Sequence, residues 1–122
     1  MTDTLARLME KNLLEVFGER NSEHRTRAIQ EIYSEDCTFF EADQRITGRN
    51  AINAKVAALL DGAPEFVFRQ AGPAQVSHDL GRLPWHFGPP DARPVVKGTD
   101  IALFEDGRIR SLYTFLDELQ SE

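Results

Sequence analysis

Residues 95–116 read VVKGTDIALFEDGRIRSLYTFL. Two runs rich in β-branched and aromatic residues flank Asp106-Gly107, a pair that readily takes the positive φ angles of a tight turn. The stretch therefore predicts an antiparallel hairpin. Counted with a period of two, both strands are apolar on both faces: Val96, Ala102 and Phe104 alternate with Val95, Ile101 and Leu103. In the second strand Leu112 and Leu116 oppose Ile109, Tyr113 and Phe115. A sheet that is apolar on both sides needs two covers. Helices supply one, and a second copy of the chain is the expected other, which predicts a homodimer across the outer face of the sheet.

Upstream of the hairpin the pattern alternates between helix and strand. Leu5, Leu8, Met9, Leu13, Val16 and Phe17 recur at three and four, which predicts a helix ending near Gly18. Ala28, Ile29, Ile32 and Tyr33 share a face of a second helix from about Glu23 to Tyr33, with Ser22 placed to cap it. Cys37-Thr38-Phe39-Phe40-Glu41 reads as a strand, and residues 42–47 as a loop or short hairpin. Thr47 is placed to cap a third helix, along which Ile52, Val56, Leu59 and Leu60 repeat until Gly62 and Pro64 end it. Short strands follow at Phe66–Phe68, Gln75–His78 and Leu83–Phe87, before the hairpin itself. Ala71-Gly72-Pro73 reads as a kink and not as a domain boundary. Helices before a run of antiparallel strands exclude a parallel βαβ array, so the expected class is α+β, with three helices packed on one face of a curved sheet. Residues 1–122 are expected to form a single domain.

Composition narrows the function. Fourteen Lys and Arg against twenty Asp and Glu give a net charge of -6. No basic stripe overrides that charge, which excludes binding driven by phosphate backbones or anionic lipid. The longest apolar run is the five residues Val56–Leu60, too short to span a membrane. Asp3, Glu10 and Glu15 interrupt any apolar leader, and the lone Cys37 has no internal partner, so the chain reads as cytoplasmic. His24, His78 and His86 lack metal-ligand spacing, and no glycine-rich phosphate loop or dinucleotide fingerprint occurs. Neither a metal nor a nucleotide cofactor is implied.

Asp100 is the most informative residue, lying in mid-strand on the face of Gly98, Ala102 and Phe104. Burial among apolar groups would raise its pKa and poise it as an acid or base; an ion pair with one of the Arg residues, or a wet sheet edge, is the bland alternative. Glu41 falls on the side of Phe39 and either joins Asp100 in one cavity or is solvated with Asp43 and Gln44. His78 is either an acid/base partner for Asp100 across the sheet or a partly exposed strand histidine. Trp85 and Phe87 read as cavity walls or as core. Cys37, opening an apolar strand without a base beside it, reads as a small hydrophobe.

The phrases Ile32-Tyr33-Ser34-Glu35-Asp36-Cys37-Thr38-Phe39, Thr47-Gly48-Arg49-Asn50-Ala51-Ile52, Gly98-Thr99-Asp100 and Glu105-Asp106-Gly107-Arg108-Ile109, followed by Phe115, occur in an informative order. Together they resemble the nuclear transport factor 2-like superfamily, especially its SnoaL-like and ketosteroid-isomerase-like members, over nearly the whole chain. The resemblance implies a cone formed by a strongly curved sheet and three helices on its concave side, an apolar pocket in the mouth, and frequent dimerisation. It implies that Glu41 stands at the isomerase's general-base carboxylate and Asp100 at its hydrogen-bond-donating aspartate. Asp100 also falls in the region of the acid/base aspartate of SnoaL-type cyclases. Tyr33 resembles a tyrosine of the isomerase's hydroxyl network, whereas Phe17 stands where that enzyme carries its oxyanion-binding tyrosine and Val56 where it carries a further network tyrosine. Losing such a donor costs about 10² to 10³ in rate, so steroid isomerisation itself is not expected. The implied pocket walls are Phe17, Trp85, Phe87, Leu112 and Leu116, with Arg82 and His78 near them. The expected activity is cofactor-independent acid/base chemistry through Asp100 on a small apolar or aromatic ligand: isomerisation, aldol-type cyclisation or hydration, assisted by Glu41 or His78. The alternative is a non-catalytic ligand-binding or dimerisation module of the same fold.

Overall fold

The computed structural model describes residues 2–117. Helix α1 (Thr2–Lys11) continues into a π-helical segment, Asn12–Phe17. Its apolar stripe buries Met9, Leu13, Val16 and Phe17 as the spacing predicts. Helix α2 spans Ser22–Ile32, and its cap is one residue earlier than expected: the Asn21 side chain, not Ser22, accepts from the His24 amide at 2.9 Å. Helix α3 (Arg49–Asp61) starts after Gly48 with no side-chain cap, so Thr47 does not cap it and instead closes strand β2. Ile52, Val56 and Leu60 form its buried stripe, each side chain contributing about 1.5–3 kcal/mol by leaving water.

Seven strands form one sheet: β1 (Tyr33–Glu41), β2 (Gln44–Thr47), β3 (Val67–Gln70), β4 (Gln75–Ser77), β5 (Leu80–Gly88), β6 (Val96–Glu105) and β7 (Arg108–Leu116). The order is β2-β1-β7-β6-β5-β3, with β4 also on β5. Neighbours are antiparallel except β1 and β7, which run parallel. Residues 42–47 resolve into a hairpin, and Tyr33 begins β1 where a helix end was expected. The strand is interrupted at 71–74 between β3 and β4, both of which lie on β5. The sheet curves without closing and holds the three helices on its concave side, as the fold class requires.

The hairpin turns where expected, Asp106 and Gly107 having φ of 55° and 78°. Its register carries a surprise. Phe104 pairs with Ile109 but Leu103 pairs with Ser111, leaving Arg110 as a bulged extra residue. The bulge reverses the parity of β7, so Ile109 is fully buried on the inner face with Leu112 and not on the outer face with Tyr113 and Phe115. It also sets which residue of β7 lies opposite Asp100.

Three guanidinium groups tie the helices to their surroundings. Arg20 donates to the carbonyls of Leu60, Ala63 and Phe66 at 2.6–2.8 Å, around the C-terminus of α3. Arg49 donates to the carbonyl of Tyr33 at the end of α2, and Arg25 to Asn53 and the Glu19 carbonyl. At the C-terminal ends of α3 and α2, Arg20 and Arg49 oppose the negative pole of the helix dipole and satisfy carbonyls that the helix leaves free.

Candidate active site

At the mouth of the cone lies a cavity of about 190 Å³. Its walls come from every layer of the fold: Leu13 and Phe17 from the π-helical segment, Leu59 from α3, Phe39 from β1, Phe68 from β3, Trp85 and Phe87 from β5, Val96 from β6 and Leu116 from β7. The aromatics brace one another, with Phe68 stacked on Phe87 at 4.1 Å and edge-on to Trp85 at 5.3 Å and to Phe17 at 6.1 Å. Four polar side chains break the apolar lining: Glu41, Lys55, Asp100 and Thr114.

The sheet register aligns three of these four. Glu41 pairs with Thr114 across the parallel β1–β7 ladder, and Thr114 pairs with Asp100 across β7–β6. All three project into the cone from one row. Strands lie about 4.8 Å apart, so the two acidic residues stand about 10 Å apart in backbone position with the threonine between them.

Asp100 is only 4% exposed. Its Oδ1 accepts two hydrogen bonds, from the Trp85 indole N–H at 2.9 Å and from the Thr114 hydroxyl at 2.8 Å. Among the described residues nothing donates to Oδ2, and no cation pairs with the carboxylate. The choice left open by the sequence thus resolves in favour of burial over an arginine ion pair. Burial pushes the carboxyl from 3.8 up to about 6, the two donors restrain the rise, and the nearby charge of Glu41 adds to it. Half of such a group is ionised near pH 6, so both proton-accepting and proton-donating forms exist close to neutrality.

Gly98 makes this geometry possible. A Cβ there would overlap the Trp85 ring and come within 2.9 Å of the Phe115 carbonyl oxygen, so only glycine lets the indole lie across β6 and reach Asp100.

Glu41 is partly buried and is not alone. The Lys55 ammonium reaches from α3 to within 3.0 Å of its Oε1, passing 5.8 Å from the centre of the Phe39 ring. Below the cavity the Tyr33 hydroxyl donates to Asn12 Oδ1, while the fully buried Asn12 Nδ2 has no partner among the described residues. Burial raises the Tyr33 phenol well above its ordinary value, the charge of Asp100 acting in the same direction.

Of the residues singled out in the sequence, Asp100, Glu41, Phe17, Trp85, Phe87 and Leu116 meet at the cavity. Leu112 is core beneath it, and Tyr33 lies in the buried pair with Asn12. Two are elsewhere. His78 does not sit in a strand facing Asp100: the chain turns at His78, with φ of 55°, between β4 and β5, leaving the imidazole exposed. Arg82 points to the opposite face of β5 from Leu83 and Trp85 and bonds Gln75 at 3.0 Å. Lys55 and Thr114 are the functional-looking groups that the sequence reading passed over. A lysine between Ile52 and Leu59, on the flank of the apolar stripe of α3, was the available sign of the first. Burial also raises the Cys37 thiol, which suits a packed side chain and not a nucleophile. Among the described residues no three His, Cys, Asp or Glu side chains gather as metal ligands, and no helix is long and apolar enough to cross a membrane.

The fold recurs widely in solved structures. A SnoaL-like family protein from Agrobacterium tumefaciens, provisionally described as an isomerase, is similar with a TM-score of 0.86 at 23% identity, over 95% of this chain and 99% of that one. A SnoaL-like protein from a Jannaschia species, provisionally described as a polyketide cyclase, has a TM-score of 0.77 at 12% identity, over 95% and 87%. A nuclear transport factor 2-like protein of unknown function from Mesorhizobium loti has a TM-score of 0.71 at 21% identity, over 96% and 93%. At such identities the likeness concerns the fold. No curated protein matches the chain in sequence. The SnoaL-like domain family matches it over residues 12–112, and the chain, with its three helices on a curved sheet, belongs to that family.

Proposed function

We propose that the protein is an enzyme that moves a proton on a small carbonyl compound, with Asp100 as the acid/base group and no nucleotide cofactor. The observation that carries this reading is the buried Asp100 carboxyl, held through one oxygen by Trp85 and Thr114 and poised at about 6 at the wall of an apolar cavity. As a carboxylate, Asp100 takes a proton from the carbon beside the carbonyl, and the C–H electron pair moves into the enolate. Returning the proton to a different carbon gives isomerisation; attack of the enolate carbon on a second carbonyl gives an aldol-type ring closure, the alkoxide formed taking the proton back from Asp100. Hydration of a conjugated double bond runs through the same enolate: the oxygen of a water adds to the β carbon as Asp100 takes the water's proton, and Asp100 then gives that proton to the α carbon. Glu41 assists by holding the ammonium of Lys55 at the same cavity. Carboxyls used in this way contribute about 10² to 10⁴ in rate.

The test is a carbon-detected NMR titration of Asp100, assigned with Asp100→Asn, followed by turnover assays on small enolisable ketones and lactones. A pKa near 6, with turnover lost and affinity kept in Asp100→Asn, is the expected result. A pKa of about 4 or below refutes the acid/base role. Asp100→Asn altering affinity alone, with no turnover in either form, would instead mark a ligand-binding module.

The outer face of the sheet carries Phe115, which is 62% exposed, with Ile101, Leu103 and the stacked pair Phe40–Tyr113, whose rings lie 4.5 Å apart. We propose that a second copy of the chain covers this face in a cytoplasmic homodimer.

A further inference from the structure

Removing a proton beside a carbonyl leaves negative charge on the carbonyl oxygen, and that oxygen needs a donor. The side-chain donors of the cavity are few. The Trp85 N–H and the Thr114 hydroxyl are both spent on Asp100 Oδ1. Phe17, Phe39, Phe68 and Phe87 donate nothing. Lys55 is different: its ammonium has three N–H groups, of which one meets Glu41 at 3.0 Å and another approaches Gln44 at 3.5 Å. Among the described lining residues it is the side chain with donor capacity left over. It is also the positive charge of the site, and its place is fixed by Glu41, one strand beyond Thr114 from Asp100.

We propose that Lys55 is the group that faces the substrate's carbonyl oxygen, and that the substrate is a single-ring or equally short carbonyl compound. This rests on the acid/base reading of Asp100. The charge movement supports it: when Asp100 becomes neutral by taking the proton, the negative charge passes to the substrate oxygen, and the ammonium remains in place to balance it. Glu41 keeps the lysine extended along Phe39 and so acts as a positioning residue. The volume sets the size. An apolar cavity of about 150 Å³ accepts benzene. At about 190 Å³ this one encloses a single ring with a small substituent against the Phe68, Trp85 and Phe87 wall.

The probe for this is 4-nitrophenol, one ring with an ionisable oxygen whose phenolate has a visible absorption band. It is bound to Asp100→Asn, so that the aspartate charge does not mask the effect, and compared with Asp100→Asn/Lys55→Met and Asp100→Asn/Lys55→Arg. The expected result is that bound nitrophenol ionises at lower pH than free nitrophenol. Lys55→Met should cut the bound phenolate-to-phenol ratio by roughly tenfold or more, and Lys55→Arg should largely retain it. Asp100→Asn/Glu41→Gln/Lys55→Met repeats the test without stranding the Glu41 charge, should the simpler variant fold poorly. An equal phenolate fraction with and without the lysine, or no binding of the single ring, overturns the assignment of Lys55. Binding of a three-ring phenol as tight as that of nitrophenol overturns the size limit. The acid/base role of Asp100 is judged separately by its own NMR titration in the unsubstituted protein, so the two can fail independently.

Discussion

Ionised Asp100 occupies a position that suits a neutral group better, and this makes Asp100→Asn a stabilising substitution with a defined pH dependence. The Asn carbonyl oxygen can accept from Trp85 and Thr114 as Oδ1 does, leaving the amide NH₂ beside the cavity. An acid whose pKa in the folded state lies above its unfolded value favours folding when protonated. Its contribution is complete below the unfolded pKa of about 4, falls as the pH rises towards the folded value, and is lost above it. The rise from 3.8 to about 6, at about 1.4 kcal/mol per pH unit, amounts to about 3 kcal/mol. Asparagine has no such loss. The variant should therefore match the parent near about pH 4 and exceed it by about 3 kcal/mol at about pH 8, where Tm should rise by roughly 10 °C for a chain of this size. Urea unfolding followed by Trp85 fluorescence is the natural assay, because Trp85 is the only tryptophan and it touches the substituted residue. Other carboxylates titrate alike in both proteins and cancel in the difference. A stability difference that is constant across this range, or a variant weaker at both ends, would refute the claim that burial strains the carboxylate.

Further tests concern its surroundings. Thr114→Val removes one of the two donors that hold the Asp100 pKa down, so the NMR midpoint should move above 6 by about one pH unit; an unchanged midpoint would count against that hydrogen bond. Gly98→Ala should push the indole off Asp100 at a cost of about 1–3 kcal/mol and shift Trp85 fluorescence, and an unaltered spectrum with unaltered stability would contradict the close approach. Tyr33→Phe strips Asn12 of its partner and should cost about 1–3 kcal/mol in denaturant unfolding. Adding Asn12→Leu should recover most of that loss, and a further drop in the double variant would show the reasoning to be wrong. Tyr113→Glu, placing a charge on the outer face, should yield monomers in sedimentation; an unchanged mass rules out that interface.

Much of this architecture is legible in the sequence because apolar spacing reports which face of an element is buried. The α3 stripe Ile52–Val56–Leu60 and the Asp106-Gly107 turn fall where expected. What local reading misses is produced by register. An unbroken two-residue hairpin would set Asp100 opposite Tyr113; the single extra residue at Arg110 sets it opposite Thr114 and turns Ile109 inward. No pattern in RIRSLYTFL announces that bulge, so the donor that holds Asp100 goes unnoticed. His78 fails for a similar reason: alternation predicts a facing direction only while the strand continues, and there it has already turned. Lys55 becomes intelligible only when α3 is laid across β1 and its ammonium meets Glu41. In each case the chemistry depends on which residues become neighbours across elements, which spacing along the chain does not encode.

The placement of β7 between β1 and β6 has a consequence for how the protein is made. Strand β1 emerges from the ribosome well before β7, yet among the described residues β7, more than sixty residues later, is its only sheet partner apart from the β2 hairpin. Until residues 108–116 are available, β1–β2 and β3–β6 remain two separate strips, each with an unpaired edge, and no partial sheet encloses the cavity. Thr114 arrives in that same strand, where it pairs with both Glu41 and Asp100. One insertion of β7 thus joins the sheet and completes the cavity wall together, so a nascent chain lacking β7 exposes two unpaired strand edges and has no formed cavity.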